Sequence, residues 1–259
     1  MRIARFTTGD GAAFGVVDGD DDLTVRRIDG HPFAPFEVVG DPVPLAQVRL
    51  LAPVLPSKVV AIGRNYAEHV REMDAGASLD EPPVVFLKPS TSVIGPGDAV
   101  QYPVGVSEEV HYEGELAIVI ARLCREVPPE RVRDVVLGFA CANDVTARDL
   151  QKIEKQWGRA KGFDTFCPLG PWVCTDIDPS DLAVTTTVNG DLRQAGRTSQ
   201  MLRGVDELVA HVSQAMTLLP GDVILTGTPV GVGPLSVGDE VSVTIEEIGT
   251  LTNTVVARG

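Results

Sequence analysis

Glycine and proline are spread along the whole chain, 26 and 19 residues among 259, rather than gathered into one linker. They cut the sequence into short segments, and short apolar segments bounded by turn residues read as strands. Up to about residue 50, apolar and polar residues alternate in RIARF, AAFGVV and LTVRRI, between the turn clusters DGDDD and GHPFAP. This predicts a small strand-rich N-terminal domain over residues 1–56, closing where prolines interrupt VRLLAPVLPSK. In the body, residues 57–259, KVVAIG, VVFLKP, HYEGELAIVIA and PWVCTDI read as strands, and LAVTTTVNGDLRQAG reads as a hairpin turning at Asn189–Gly190. VSVTIEEIGTLTNTVV adds further strands. Helices are few. NYAEHVREM has helical spacing, PPERVRDVV contains a helix, and TARDLQKIEKQWGRAK is helical until it loosens at Gly158. VDELVAHVSQAMTLL is an amphipathic helix with Val205, Leu208, Val209, Val212, Ala215, Met216 and Leu219 on one face. No regular strand–helix–strand alternation appears. The expected fold class is therefore α+β and β-rich, with a mixed or antiparallel sheet and packed helices rather than a doubly wound sheet.

Hydrophobic residues at 44% and charged residues at 22% are the balance of an ordinary globular protein. Lys plus Arg is 22 against 36 Asp plus Glu, a formal charge of −14. Such a surface repels phosphate backbones and anionic lipid, so neither nucleic acid nor membrane is expected as a partner. An anionic substrate would need a local reversal of that field. The four cysteines form no CxxC pair, which argues against a zinc site and suits a reducing compartment. The opening MRIARFTTGD lacks the apolar core of a signal peptide, and no run approaches the ~18 apolar residues of a membrane helix, so a cytoplasmic location is expected.

Four stretches carry residues suited to chemistry. In HYEGELAIVI, Glu113 and Glu115 are two apart and face one side of a strand, roughly 6.5–7 Å apart along the backbone. The apolar residues that follow belong inside, where two like charges need a cation, and an oxygen-preferring ion such as Mg²⁺ or Mn²⁺ would supply one. The plainer alternative is a solvent-facing stripe on an edge strand. In FACANDVTARDLQ, Asp144 falls between an apolar strand and a helical stretch, as an N-cap or as a third carboxylate ligand, with Arg148 and Gln151 placed to hold a carboxylate or orient a water. In GRNYAEHVRE, His69 and Glu72 are helical neighbours, either a surface pair or a base fixed by its carboxylate. The Gly- and acid-rich DAGASLDEPP that follows has the composition of a mobile lid. Lys161, before a Gly-punctuated turn, says little alone. ILTGTPVGVGPL offers Thr226 and Thr228 but has neither the ending of a phosphate loop nor the context of a dinucleotide fingerprint. DGDDD reads as a turn, because Leu23 and Asp29 stand where a calcium loop needs Gly and Glu.

From about Lys58 to Val256 the chain resembles the fumarylacetoacetate hydrolase family, in its short bacterial branch of 2-hydroxyhepta-2,4-diene-1,7-dioate isomerase-like and acylpyruvase-like members. The resemblance rests on seven ordered motifs: VVAIGRNYAEH, PVVFLKPSTSVIGPGD, HYEGELAIVI, CANDVTARDLQ, RAKGFDTFCPLGPW, GDVILTGTPVGVGPL and IEEIGTLTNTV. It implies a mixed β-roll, a homodimer and a Mg²⁺ or Mn²⁺ site. It implies metal ligands at Glu113, Glu115 and Asp144, catalytic residues at His69, Glu72 and Lys161, and substrate contacts at Arg64, Arg148, Gln151 and Thr228. Its substrates are 2-oxo or 1,3-dioxo carboxylates whose reaction develops an enolate. The metal would act as a Lewis acid, while Arg64, Lys161 and Arg148 supply the positive field that the net charge denies. The expected activity is isomerisation or C–C hydrolysis of dioates from aromatic catabolism, with oxaloacetate decarboxylase or acylpyruvase as the alternative. A module that binds metal and oxo-acid without turnover is the alternative of another class. A sugar hydrolase fits poorly, since acids adjacent on one strand cannot readily flank a glycosidic bond.

Overall fold

The computed structural model describes residues 1–9 and 11–258. The chain opens with β1 (Arg2–Thr7), β2 (Ala12–Asp18) and β3 (Thr24–Asp29), an antiparallel meander, and the short strands β4 (Glu37–Val38), β5 (Val43–Pro44) and β6 (Arg49–Leu51). There follow β7 (Val59–Gly63), α1 (Ala67–Met73), β8 (Val84–Lys88), β9 (Val93–Ile94), β10 (Val100–Tyr102), β11 (Val110–Tyr112) and β12 (Gly114–Ile120). The middle of the chain supplies β13 (Val136–Asn143), β14 (Thr146–Ala147), α2 (Arg148–Ile153), α3 (Gly158–Lys161) and β15 (Cys167–Cys174). The last third supplies β16 (Ala183–Val188), β17 (Asp191–Arg197), α4 (Val205–Ala215), β18 (Val223–Leu225), β19 (Gly233–Pro234), β20 (Glu240–Ile245) and β21 (Gly249–Ala257).

The main sheet runs β4-β3-β2-β1-β15-β13-β12-β18-β7-β8, with β5, β6 and β9 attached at its sides. The N-terminal strands continue this sheet, because β1 pairs with β15 at Arg2–Cys174 and Ile3–Val173. Pairing is mixed: β18 with β7 is parallel, whereas β12 with β13 and with β18 is antiparallel. A second sheet, β10-β21-β20-β16-β17, covers one face, and a small sheet β14-β11-β19 lies beside it. This is the expected β-rich α+β roll with few helices.

Strand β12 explains why the two sheets meet. All seven of its residues are buried, and their alternation feeds two cores. Leu116, Ile118 and Ile120 pack with Val184, Val243, Ile245 and Leu251 of the second sheet and with Leu208 and Val212 of α4. Ala117 and Val119 face the other way, onto Val59, Ala61, Ala140, Ala142 and Leu225. A strand buried on both faces needs apolar residues of both parities, which LAIVIA supplies. At the end of β12, Gly114 lies against β16, where a Cβ would come 2.2 Å from Thr186 Oγ1. Its N–H donates to Gln194 Oε1 at 2.9 Å and its carbonyl accepts from Thr228 Oγ1 at 2.9 Å.

The Asn189–Gly190 hairpin forms as read, with both residues at positive φ, 53° and 83°. The helices are shorter than the sequence pattern implied. PPERVRDVV makes only a 3₁₀ segment over Pro129–Asp134 with Val132 buried, since its two prolines and the strand beginning at Val136 leave little room. α2 stops at Ile153 and α3 begins at Gly158; between them Trp157 turns against Phe86, ring centroids 5.4 Å apart. α4 ends at Ala215, so the register shifts and Leu218, not Leu219, is buried. Among the described residues no helix is long and apolar enough to cross a membrane.

Replacing Gly114 by Ala inserts a methyl where the sheets touch. Overpacking of this kind costs about 1–3 kcal/mol, and denaturant unfolding of Gly114→Ala should show a loss in that range.

Candidate metal and oxo-acid site

The register of β12 and β13 assembles the acids. Gly114 is paired with Asn143 and Glu115 with Ala142, so Glu113 and Asp144 stand opposite each other one step beyond the ladder. The Asp144 N–H donates to the Glu113 carbonyl at 2.8 Å, and the Glu113 N–H donates to Asn143 Oδ1 at 2.9 Å. Residues opposite one another, and residues two apart, share a face. All three carboxylates therefore converge, with one oxygen from each within 4.8 Å of the others. They are buried at 5%, 2% and 1% exposure, which excludes the solvent-facing stripe. Asp144 does not cap a helix either: α2 begins at Arg148 after Ala147, without a side-chain cap.

Three buried cations compensate these acids. Lys161 Nζ donates to Glu113 Oε2 at 2.8 Å and to Asp144 Oδ2 at 2.6 Å. Arg148 Nη2 donates to Glu113 Oε1 at 2.5 Å, and its Nη1 holds Gln151 Oε1 at 2.5 Å. Lys88, which the sequence reading missed, donates to Asp144 Oδ1 and to the Val145 carbonyl, the latter at 3.2 Å. In sequence it is an ordinary lysine before a proline at the end of VVFLK; only its burial at 1% reveals its role.

The compensation is uneven. Burial disfavours charge on Glu113, yet Lys161 and Arg148 outweigh it and hold this carboxyl well below the usual range. Burial, with Asp144 and Glu113 adding repulsion, pushes Glu115 well above it. Glu115 Oε2 accepts the Gly227 N–H at 2.7 Å. Burial works against the Lys161 ammonium too, but Asp144 and Glu113 raise it. An all-oxygen set of three acids, one of them short of positive charge, fits a hard divalent cation.

His69, on α1, reaches this cavity with Glu72 behind it: Nδ1 lies 2.9 Å from Glu72 Oε2. Glu72 is fixed in turn by the Gly231 N–H, 3.1 Å from its other oxygen. One loop thus supports both features, since Gly227 holds Glu115 and Gly231 holds Glu72. Gly227 is at φ 94°, where a Cβ would lie 2.9 Å from that of Asn65. Thr226 spends its hydroxyl on the Leu116 carbonyl and so takes no part in the site, while Thr228 lines it with its proton committed to Gly114.

The cavity has a volume of about 250 Å³. His69, Lys161, Arg64, Arg148, Gln151, Thr228, Glu113, Glu115 and Asp144 all line it, with Glu72 behind His69. Ile62, Val70, Met73, Phe86 and Trp157 give it apolar walls that the sequence reading did not name.

The model of the fumarylacetoacetate (FAA) hydrolase C-terminal family matches residues 58–256. The chain belongs to this family. An N-terminal model, Rv2993c-like, matches residues 1–53. The structure of 2-hydroxyhepta-2,4-diene-1,7-dioate isomerase from Mycobacterium marinum superposes with a TM-score of 0.93 at 50% identity, covering 100% of this chain and 99% of that one. A maleylpyruvate hydrolase from Sphingobium sp. SYK-6, in complex with manganese(II) and pyruvate, superposes at 0.82 with 35% identity over 100% of both chains. The oxaloacetate tautomerase YisK of Bacillus subtilis is 43% identical over 81% of this chain and 73% of its own length. Membership of the FAA hydrolase family marks the chain as an enzyme of the isomerase, hydrolase or tautomerase kind.

Two outcomes test the electrostatics. Because the folded pKa of Glu115 is raised, its stabilising contribution is present below the usual carboxylate range and lost as pH rises through the raised value. Glu113, being depressed, has the opposite sign and loses its contribution as pH falls below the usual range. In chelator, the melting temperature of the wild type should fall relative to Glu115→Gln as pH rises above the usual carboxylate range, and added Mn²⁺ should restore the wild type. Identical pH profiles for the two chelated proteins would refute the raised value. Lys88→Met leaves Asp144 Oδ1 without its cation while Lys161 still holds Oδ2, so the loss should fall below the about 3–5 kcal/mol of a fully broken buried pair; urea unfolding in chelator measures it.

Proposed function

We propose that the protein is a divalent-metal-dependent isomerase of small 2-oxo or 2-hydroxydiene dicarboxylates. The convergence of the three buried acids and the His69–Glu72 pair on one small cavity carries this reading. A cation held by Glu113, Glu115 and Asp144, Mg²⁺ or Mn²⁺ by its oxygen ligands, would supply Lewis acidity toward an oxo-acid oxygen.

The chain's own residues supply the rest. Arg148, oriented by Gln151, and Lys161 present positive charge where an enolate would develop, reversing locally the field of a chain with net charge −14. His69 moves the proton between carbon and oxygen, with Glu72 fixing its ring through Nδ1 and leaving Nε2 for the substrate. Phe86, Trp157, Val70 and Met73 keep water from the reacting carbon. The structural likeness to the Mycobacterium marinum isomerase supports proton relocation as the reaction.

A second reading keeps the machinery and changes the substrate. Keto–enol exchange of oxaloacetate is also a proton moved between carbon and oxygen, and the likeness to the Bacillus subtilis tautomerase favours it. Hydrolysis of a C–C bond would need the same histidine to activate water.

The purified protein, supplied with Mn²⁺ or Mg²⁺, should be assayed against the hydroxyheptadienedioate, oxaloacetate, fumarylpyruvate and acetylpyruvate. Turnover should vanish on complete metal removal. Glu113→Ala should lose Mn²⁺ binding, and His69→Ala should keep it while kcat falls about 100- to 10,000-fold. Tight binding of oxalate without turnover of any compound would replace this reading with a binding module.

A further inference from the structure

Four basic side chains line the cavity, and each is already paired with a carboxylate of the protein. Lys161 and Arg148 hold the acids of the triad. Lys152 Nζ lies 2.9 Å from Glu109 Oε2, and Arg64 Nη1 lies 2.9 Å from Glu81 Oε2. A substrate with one oxo-acid end can be held at the triad. A second carboxylate on the same molecule needs another cation, and each candidate is occupied.

The last two pairs differ in how firmly the acid is held. Glu109 Oε1 also lies 3.2 Å from His111 Nε2, and its main-chain carbonyl takes the Arg148 N–H at 2.6 Å, so its place is tied to a residue of the site. Glu81 lies on the connection between α1 and β8, outside any helix or strand, and its side chain is 56% exposed. Arg64 is the less exposed partner at 33%, and it stands at φ 65°, a conformation that residues other than glycine seldom adopt. The side chain of the next residue anchors this stretch: Asn65 Nδ2 donates to the Thr226 carbonyl at 2.8 Å and to the Arg203 carbonyl at 3.0 Å. The backbone that carries the cation is fixed, and its acid partner is exposed.

The anchor of the connecting segment survives that departure. Arg203 Nη2 donates to the main-chain carbonyl of Glu81 at 2.7 Å, and the Arg203 N–H is itself held by Asn65 Oδ1 at 2.9 Å. The Glu81 side chain can swing into water while its backbone stays in place.

We propose that Glu81 is a specificity-determining residue whose carboxylate occupies Arg64 in place of the second carboxylate of a dioate and is displaced when a dioate binds. This rests on the proposed oxo-acid chemistry for the position of the other end. A guanidinium fork matches one carboxylate at a time, so the exchange is a competition of like for like. Monoanionic oxo-acids leave the Arg64–Glu81 pair intact and gain nothing from it. Dioates gain the guanidinium less the cost of releasing Glu81, and the balance sets the preference between the two classes.

Glu81→Gln isolates the charge, because it leaves the main-chain anchor to Arg203 untouched. With the Mn²⁺-loaded enzyme, the ratio of kcat/KM for fumarylpyruvate, a dioate, to that for acetylpyruvate, a monoanion, should rise about two- to five-fold, the range for a partly exposed ion pair. Adding Arg64→Gln to that variant should bring the ratio below the wild-type value. An unchanged ratio in Glu81→Gln, or an equal change for both substrates, would overturn the proposal. If the wild type turns over neither compound, C–C hydrolysis is excluded, while the proposed isomerase is judged separately by turnover of the hydroxyheptadienedioate. Calorimetric binding of the same two compounds to the Mn²⁺-loaded variants then decides the role of Glu81 by the same ratio.

Discussion

Three carboxylates buried within 4.8 Å of one another cannot all stay charged in a low-dielectric interior unless positive charge is brought to them. Much of the local architecture follows from that requirement. Lys88 comes from the end of β8, Arg148 from the first turn of α2 and Lys161 from the last turn of α3, so three separate elements are drawn to the end of one hairpin. α2 and α3 are short, and isolated helices of four to six residues have little stability of their own. Their basic side chains, together with Leu150 and Ala160 packed beside Val110 and Phe166, tie them to the sheet.

The acids owe their convergence to register, which also decides what was readable in advance. That Glu113 and Glu115 share a face follows from the two-residue period of a strand and was legible in HYEGELAIVI. That Asp144 stands opposite Glu113 depends on how β12 and β13 slide against each other, and a single sequence offers no measure of that slide; the motif resemblance supplied it. Lys88 escaped notice because its importance is burial and nothing in VVFLKP distinguishes a buried lysine from a solvated one. The apolar residues of α4 were legible by spacing until Ala215, where the helix ends and Leu218 replaces Leu219 in the core. Trp157 was hidden inside a stretch read as continuous helix, although it forms a wall of the cavity.

The same balance reconciles an acidic chain with an anionic ligand. A net charge of −14 is a property of the whole surface. The cavity is a local exception that four cations line, Arg148 and Lys161 from within and Arg64 and Lys152 nearer its mouth, each with an acid close by. A divalent ion at the triad would tip this balance towards positive charge where the ligand arrives. The chain's own acids keep that charge from being exposed when no ligand is present.

The loop from Thr226 to Gly231 touches both halves of the site, through the Gly227 N–H on Glu115 and the Gly231 N–H on Glu72. A change of backbone path there would disturb cation affinity and proton handling together. Sequence drift in this loop is therefore tightly constrained, whereas residues 74–83 carry neither burden. Divergence of substrate preference among descendants of such a scaffold has its freest ground in that connection.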